Sequence, residues 1–326
     1  MRITNPSQNE IVDLHTESQK KYLSEDRSGY EVDDFYYLDL KMNLSENGID
    51  DSKSGFVHFQ WEPCITAKLE LSESVDFEDP FVFWGEGSCK ADNLKIGTQY
   101  YARVSTEQEI SPITSFFTER NFPRMISIDG ISNVRDVGGC VTREGKLVRQ
   151  GLLYRGSELN SHVNITPEGL RTMREVLKIK SEIDLRNPNE KVMDVYQGNY
   201  INIPIPAYRA YLQKPELSRQ IIDFLAEESN YPIYFHCWGG ADRTESFIFL
   251  FGLLLGITIE DMIDDYEITT LSVFGARSRN KQIFKDFLVD LEEMEGSDLY
   301  EKGYNYLLSC EIPKEKLEKV REIFLQ

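Results

Sequence analysis

The sequence lacks any apolar run long enough to cross a bilayer. The longest, Phe247 to Ile257, stops well short of the ~20 residues that a membrane helix needs. The opening Met-Arg-Ile-Thr-Asn-Pro-Ser-Gln-Asn-Glu also lacks the apolar stretch and small-residue cleavage site of a secretory leader. The chain as written is therefore expected to be soluble and cytoplasmic, with secretion left open if a leader has been removed. Cysteine is sparse: Cys64, Cys89, Cys140, Cys237 and Cys310 are odd in number and scattered, which argues against a disulfide framework. His15, His58, His162 and His236 are dispersed and form no metal-ligand spacing, so neither a structural zinc nor another cofactor is expected. Basic residues are outnumbered, 36 Lys+Arg against 55 Asp+Glu, for a net charge of −19. Residues 1–120 hold 11 against 23, and residues 121–326 hold 25 against 32. Such a surface repels nucleic acid and anionic membranes. Neither is expected as a partner, and a phosphate group would have to be bound in a local, concave site.

What is present fits two globular domains. The 326 residues are 40% hydrophobic and 12% aromatic, enough to bury real cores. Residues 1–118 read as all-β. Phe56 to Trp61 and Ala67 to Leu71 alternate apolar with polar residues, and Tyr100 to Val104 and Thr114 to Thr118 read as further strands. Turn signals lie at Ser45 to Gly48, Glu78 to Pro80, Gly85 to Gly87 and Gly97. Short strands at this spacing predict a β-sandwich. Trp61, followed by Leu94-Lys-Ile-Gly-Thr-Gln-Tyr100, resembles the buried tryptophan and tyrosine corner of a fibronectin type III domain, with Ile96 where that family prefers proline and acidic insertions in the loops.

Residues 119–326 begin with a linker, Glu119 to Met125, and then turn to mixed α/β. An amphipathic helix is predicted over Pro167 to Leu177 with Thr166 as N-cap. A strand is predicted at Ser181 to Arg186, a helix at Leu217 to Glu228, a buried strand at Tyr231 to Phe235 and an apolar helix at Thr244 to Leu255. The last ~65 residues read as mostly helical, ending in Pro313 to Phe324.

Between that buried strand and that helix lies His236-Cys-Trp-Gly-Gly-Ala-Asp-Arg-Thr244. A phosphate dianion needs donors on every side, and a short loop entering a helix aims consecutive amides at one point. Trp238, Gly239, Gly240, Ala241, Asp242 and Arg243 would supply them. The two glycines permit backbone angles that side chains block. The Arg243 fork binds two oxygens at once. Cysteines at helix N-termini beside cations are activated as thiolates, so Cys237 is the expected nucleophile. Thr244 could donate a hydrogen bond to its sulfur, and His236 could fix the loop. The leaving oxygen needs a proton. From Val195 to Ile222 Glu216 is the only acidic residue, so Asp242 is the preferred acid and later base. Asp136, Asp184 and Asp194 are substitutes. Pairing of Asp242 with Arg243 or a loop amide is the purely structural alternative.

The His-Cys-x5-Arg-Thr loop resembles that of protein tyrosine phosphatases. Asn133-Val-Arg-Asp-Val-Gly-Gly139, Val148 to Gly156, Ile183 to Glu190 and the Asp-Arg pair narrow this to the bacterial family that includes the mycobacterial secreted tyrosine and phosphoinositide phosphatase. Over residues 120–326 the resemblance implies a central sheet flanked by helices and metal-free hydrolysis of phosphomonoesters. It implies a tyrosine or dual-specificity phosphatase acting on phosphotyrosine in proteins or on small phosphomonoesters, sometimes also on phosphoserine, phosphothreonine or phosphoinositides. Cys237, Asp242 and Arg243 match that family's nucleophile, acid and phosphate ligand. Ala241 stands where the family commonly has Lys, removing a cation that lipid head groups would use, and Glu245 stands where it often has Gly. Arg135, Asp136 and Arg155 fall in the other motifs, either near the phosphate or as buried ion pairs. Arg277 and Arg279 could reach a second phosphate. Trp238 is either an aromatic wall for a phenyl ring or packing beneath the loop. An inositol phosphate phosphatase, a rhodanese-type sulfurtransferase and a phosphate-binding module without turnover are the alternatives.

Overall fold

The protein is described as a computed structural model over residues 1–29, 50–189 and 198–326. The turn read at Ser45 to Gly48, and Asp194, lie outside the described residues. The N-terminal part holds strands β1 (Arg2–Asn5), β2 (Glu10–Val12), β3 (Phe56–Glu62), β4 (Thr66–Ser72), β5 (Phe81–Glu86), β6 (Ser88–Asp92), β7 (Gln99–Ser105) and β8 (Thr114–Thr118). They form two sheets, ordered β1-β3-β6 and β2-β8-β7-β4-β5. The alternation read in the sequence is real: Val57, Phe59 and Trp61 of β3 point inward, as do Tyr100, Ala102 and Val104 of β7. Together with Leu69, Leu71 and Phe116 they make one core between the sheets. Each such side chain contributes about 1.5–3 kcal/mol by leaving water. Trp61 donates its indole N–H to the Ile65 carbonyl at 3.0 Å, and the Tyr100 hydroxyl accepts from the Lys95 amide at 2.9 Å.

This part is not purely β. Helix α1 (Glu17–Ser24) is started by a reciprocal Thr16–Gln19 cap. Its short amphipathic pattern was hidden among polar residues. It packs away from the sandwich core: Tyr22 is buried against Met125, Ile268 and Leu271 of the second part.

The second part is built on a six-stranded sheet. Its strands are β9 (Arg124–Met125), β10 (Arg135–Asp136), β11 (Leu153–Gly156), β12 (Ser181–Asp184), β13 (Asn199–Asn202) and β14 (Ile233–His236). The order is β13-β12-β14-β11-β10-β9. The first four run parallel, β10 pairs antiparallel with β11, and β9 pairs antiparallel with β10. The predicted linker thus contributes β9. Around the sheet lie α2 (Pro167–Arg171), α3 (Arg209–Leu212), α4 (Pro215–Leu225), α5 (Asp242–Leu255), α6 (Ile259–Glu267), α7 (Gln282–Glu292), α8 (Leu299–Ser309) and α9 (Lys314–Phe324). Thr166 caps α2 as expected, but the helix read through Leu177 widens to a π-helix over Thr172–Val176. Widening one turn hardly changes which face Met173 and Leu177 present, so the apolar periodicity could not reveal it. Other boundaries move by about two or three residues. The apolar helix starts at Asp242 rather than Thr244, α4 occupies Pro215–Leu225, and β14 runs to His236. Helix α5 is buried on nearly every side and ends at Gly256 in the left-handed region (φ 82°). No helix among the described residues is long and apolar enough to cross a membrane.

The two parts are joined by buried polar contacts. Arg27 binds Glu267 at 3.1 Å and Asp264, and the Tyr22 hydroxyl donates to the Glu267 carbonyl at 3.0 Å. The Asp51 amide donates to the Leu271 carbonyl at 2.8 Å. Gln150 brackets the backbone of Ile96 with two 2.9 Å bonds.

Candidate active site

Strand β14 delivers His236 to the end of the sheet, and α5 begins at Asp242. The intervening turn opens on a cleft of about 590 Å³. Cys237, Trp238, Gly239, Ala241, Asp242 and Arg243 line it together with His162, Phe274 and Arg277. Gly240 has φ 64°, and a Cβ there would lie 2.2 Å from the Gly156 carbonyl oxygen, so only glycine fits. The start of a 14-residue helix adds positive potential at the loop.

His236 is fully buried. Its Nδ1 lies 2.9 Å from the Cys237 carbonyl and its Nε2 2.8 Å from Glu182. A carbonyl and a carboxylate both accept, an arrangement that favours the doubly protonated ring. Burial disfavours the charged ring, but the Glu182 bond and nearby Asp184 outweigh it and hold the pKa above the ordinary histidine value. Glu182, Asp184 and His236 offer three donor atoms within 4.8 Å of one another, a grouping that could hold a metal. Those donors are turned to other work: Arg186 forks onto Asp184 at 2.8–3.1 Å and reaches Glu158 at 2.9 Å. Asp184, one of the substitute acids, sits in this cluster and does not line the cleft.

On the other flank, Arg135 and Arg155 are buried with Asp265 and Glu245. Arg155 binds Glu245 at 2.6 Å, Asp265, and the Gly240 carbonyl at 3.0 Å. Arg135 binds Asp265 at 2.7 Å and Asn133 at 2.6 Å, and Asn133 donates to the Gly239 carbonyl at 2.8 Å. These side chains grip the outer carbonyls of the turn. Glu245 is thus the acidic partner of a buried arginine. Its burial, partly offset by Arg155 and reinforced by the charge of Asp265, pushes its carboxyl up to about 7. Neither Arg135 nor Arg155 lines the cleft. Asp136, expected as a support, is a buried ion pair with Arg124 at 2.6 Å that also accepts the Gly138 and Gly151 amides. It ties β10 to the linker instead.

Thr244 requires a correction. Its hydroxyl is buried without a hydrogen-bond partner, so the expected contact with the sulfur is not made. Asp242 pairs neither as a loop-amide cap nor with Arg243 but with Arg277, whose Nε and Nη2 meet its two oxygens at 3.0 and 2.7 Å. Tyr208 donates to it at 2.8 Å, and Lys281 lies 3.8 Å away. Burial raises its pKa, but Arg277 and these neighbours more than offset that and hold it below the usual carboxylate value. Arg279 is turned to Glu267, 3.0 Å away, and leaves the cleft to Arg277. Trp238 is 45% exposed, which makes it a wall of the cleft rather than packing under the loop. His162 stands against it with ring centroids 4.4 Å apart.

Sequence reasoning missed His162, Phe274, Tyr208, Asn133 and Asp265. Asn133 lay inside a quoted motif, and Phe274 opens the segment that carries Arg277 and Arg279. The others carry no local signal, since each reaches the site only by chain crossing.

A model of the tyrosine phosphatase family matches residues 126–325. A Cupriavidus necator protein named "Putative tyrosine-protein phosphatase H16_A0669" is 27% identical over 171 residues, 43% of this chain and 61% of that protein. The chain therefore spans less than two thirds of that relative's length. The core catalytic domain of the PP-IP phosphatase SIW14 from S. cerevisiae, solved with citrate, aligns with TM-score 0.37 and 18% identity, covering 56% of this chain and 98% of that one. A second structure of the Siw14 catalytic core aligns with TM-score 0.32 and 16% identity, covering 48% and 88%.

Proposed function

Because the chain belongs to the tyrosine phosphatase family, we propose that it hydrolyses phosphate monoesters through a cysteinyl-phosphate. The observation that carries this is the convergence of Cys237, Asp242 and Arg243 on one cleft at the start of α5. The loop amides from Trp238 to Arg243 and the Arg243 fork hold the non-bridging oxygens. The Cys237 thiolate attacks phosphorus. The S–P bond forms as the ester P–O bond breaks, and the leaving oxygen takes a proton from Asp242. Asp242 then takes a proton from water, whose oxygen attacks phosphorus. The S–P bond breaks and releases phosphate and thiolate. His236 and the Arg135–Arg155–Glu245–Asp265 cluster position the turn, and no step needs a cofactor or metal.

For the substrate we favour an aryl phosphate, phosphotyrosine in a protein. Exposed Trp238, with Val163 and Phe274 on the same cleft, gives a phenyl ring apolar walls. A second reading, an inositol phosphate or phosphoinositide, is supported by Arg277 as a further cation on the cleft wall. The proposal takes residues 1–118 as a fibronectin type III-like domain and 119–326 as the catalytic domain. Support for the first is the shared core around Trp61 and the bonded Tyr100 hydroxyl.

The test is turnover of phosphotyrosine peptide and of inositol phosphates by wild type and Cys237→Ser. Hydrolysis confined to wild type, and faster on the peptide, is expected. Full turnover by Cys237→Ser sinks the proposal.

A further inference from the structure

The acid that the reaction needs is held in the wrong state. Asp242 meets only donors: Arg277 by a fork, Tyr208 by its hydroxyl, and Lys281 at longer range. Behind Tyr208 stands the Tyr266 hydroxyl of α6, 3.2 Å away, and Arg243 and Glu245 follow on the helix of Asp242 itself. A carboxylate in that setting keeps no proton to give. The same Arg277 lines the cleft beside Cys237 and Arg243, where the transferred phosphoryl group would sit.

The backbone around Arg277 is fixed. Its amide donates to Thr270 Oγ1 at 3.0 Å, and that hydroxyl donates back to the Arg277 carbonyl at 3.1 Å. Movement is therefore left to the side chain, whose Nη1 also donates to the Phe274, Gly275 and Ala276 carbonyls at 3.3, 3.5 and 3.0 Å, so that leaving Asp242 means pivoting about these loop carbonyls. A phosphoryl dianion carries about twice the charge of Asp242 and offers the same pair of acceptors to a planar fork.

We propose that Arg277 is a moving positioning residue: it clamps Asp242 in the resting protein, and an entering phosphoryl dianion draws it away, so that Asp242 takes a proton from solvent and becomes the acid. This rests on the reading of the Cys237 loop as a phosphate cradle. Once Arg277 leaves, burial and the nearby dianion both favour the protonated carboxyl. Binding of the anion and uptake of the proton are then linked. Empty, the cleft holds a base. Occupied, it holds an acid.

The experiment measures protons taken up when sulfate binds. Sulfate is a dianion that does not itself titrate in the range used. Calorimetric titrations in buffers of different ionisation heat, at about pH 5 where ordinary carboxyls are largely ionised, give the number directly. Cys237→Ser is the reference protein, which removes the thiolate as a proton acceptor. It is expected to take up a proton per sulfate bound. Cys237→Ser/Asp242→Asn should take up none. Cys237→Ser/Arg277→Gln should bind sulfate about 10- to 100-fold more weakly and take up much less, because Asp242 is then unclamped before sulfate arrives. Equal uptake with and without Arg277 overturns the moving residue, since repulsion by the dianion would then explain it alone. Sulfate binding of equal strength in both proteins overturns it too. Failure of Cys237→Ser to bind sulfate at all overturns the cradle beneath the proposal, a different result from either.

Discussion

Arg27→Met tests whether α1 and its flanking residues are part of the catalytic body. Methionine keeps an unbranched stem near the Tyr22 ring, over which the guanidinium now sits at 4.9 Å, but removes every donor. Arg27 is 3% exposed and binds Glu267 Oε2 at 3.1 Å, the Tyr22 carbonyl at 2.5 Å, the Glu25 carbonyl at 3.3 Å, and Asp264. A charge-assisted bond is worth about 1.5–3 kcal/mol and a neutral one about 1. Breaking a buried pair by deleting one partner costs about 3–5 kcal/mol. Glu267 is fully buried but keeps Arg279, bound at 3.0 Å. The cost should therefore fall at the lower end, about 3 kcal/mol. At roughly 2–4 °C per kcal/mol for a domain of this size, the unfolding midpoint should drop by about 6–12 °C. Thermal unfolding followed by circular dichroism measures it. Turnover, assayed well below that midpoint, should also fall. Glu267 holds the Arg279 amide at 2.7 Å, and so anchors the segment that carries Arg277. A midpoint within about 1 °C of wild type would refute the reasoning and make α1 a mere attachment.

Three other outcomes are expected. His236 has a pKa above its ordinary value in the folded protein, so its contribution to stability is full below the ordinary histidine value and is lost as pH rises through the raised one. The unfolding temperature of wild type should fall on that alkaline side while that of His236→Gln stays flatter; parallel curves would contradict the imidazolium. Asp242→Asn should slow phenyl phosphate turnover by about 10²–10⁴-fold and slow an ester with a strongly acidic leaving group far less; equal losses would remove Asp242 as the acid. Trp238→Ala should raise KM for aryl phosphates several-fold with little change for alkyl phosphates, and an equal rise for both would mean that the ring packs rather than recognises.

The legible parts of this chain were those whose signal is local. Alternation in β3 and β7 named their inward residues because a strand's period is two. The Cys237 loop was found because its residues are consecutive and flanked by an unmistakable strand and helix. The cap at Thr166 was found for the same reason. Partners brought together from afar were invisible. Nothing near Asp242 in sequence points to Arg277, 35 positions away, or to Tyr208, 34 positions away. Glu245 looked like an unexplained departure because its partner Arg155 lies 90 positions earlier, on strand β11. Helix α1 was overlooked for a different reason. Its one fully buried aromatic, Tyr22, is too little apolar surface to set a helical period, and the helix is held mainly by a cap and by contacts with the other part.

The two departures from the family pattern become intelligible together. Ala241, where the resemblance leads one to expect lysine, lines the cleft and brings no cation to the loop itself. Glu245 adds a buried carboxyl that pairs with Arg155 at 2.6 Å and offsets the charge of that arginine next to the same loop. Both changes lower the positive potential felt in the cleft. Of the arginines around the turn, Arg135 and Arg155 face Asp265 and Glu245, and Arg186 faces Asp184 and Glu158. Their charges are largely neutralised locally. Arg243 and Arg277 remain on the cleft wall, and at rest the charge of Arg277 is matched by Asp242. The Arg243 fork, a helix terminus and a set of amides suit a single phosphoryl dianion, with Arg277 recruited as that dianion arrives. Among the described residues that line the cleft Arg243 and Arg277 are the arginines and no lysine joins them, so a substrate carrying several phosphates would have to place the extra charge near Asp242. On that ground the monophosphate reading is preferred over the inositol one. Restoring the lysine by Ala241→Lys, together with Glu245→Gly to remove that carboxyl, should shift the ratio of inositol phosphate to aryl phosphate turnover upward. An unchanged ratio would show that the cleft's walls, not its charge, choose the substrate.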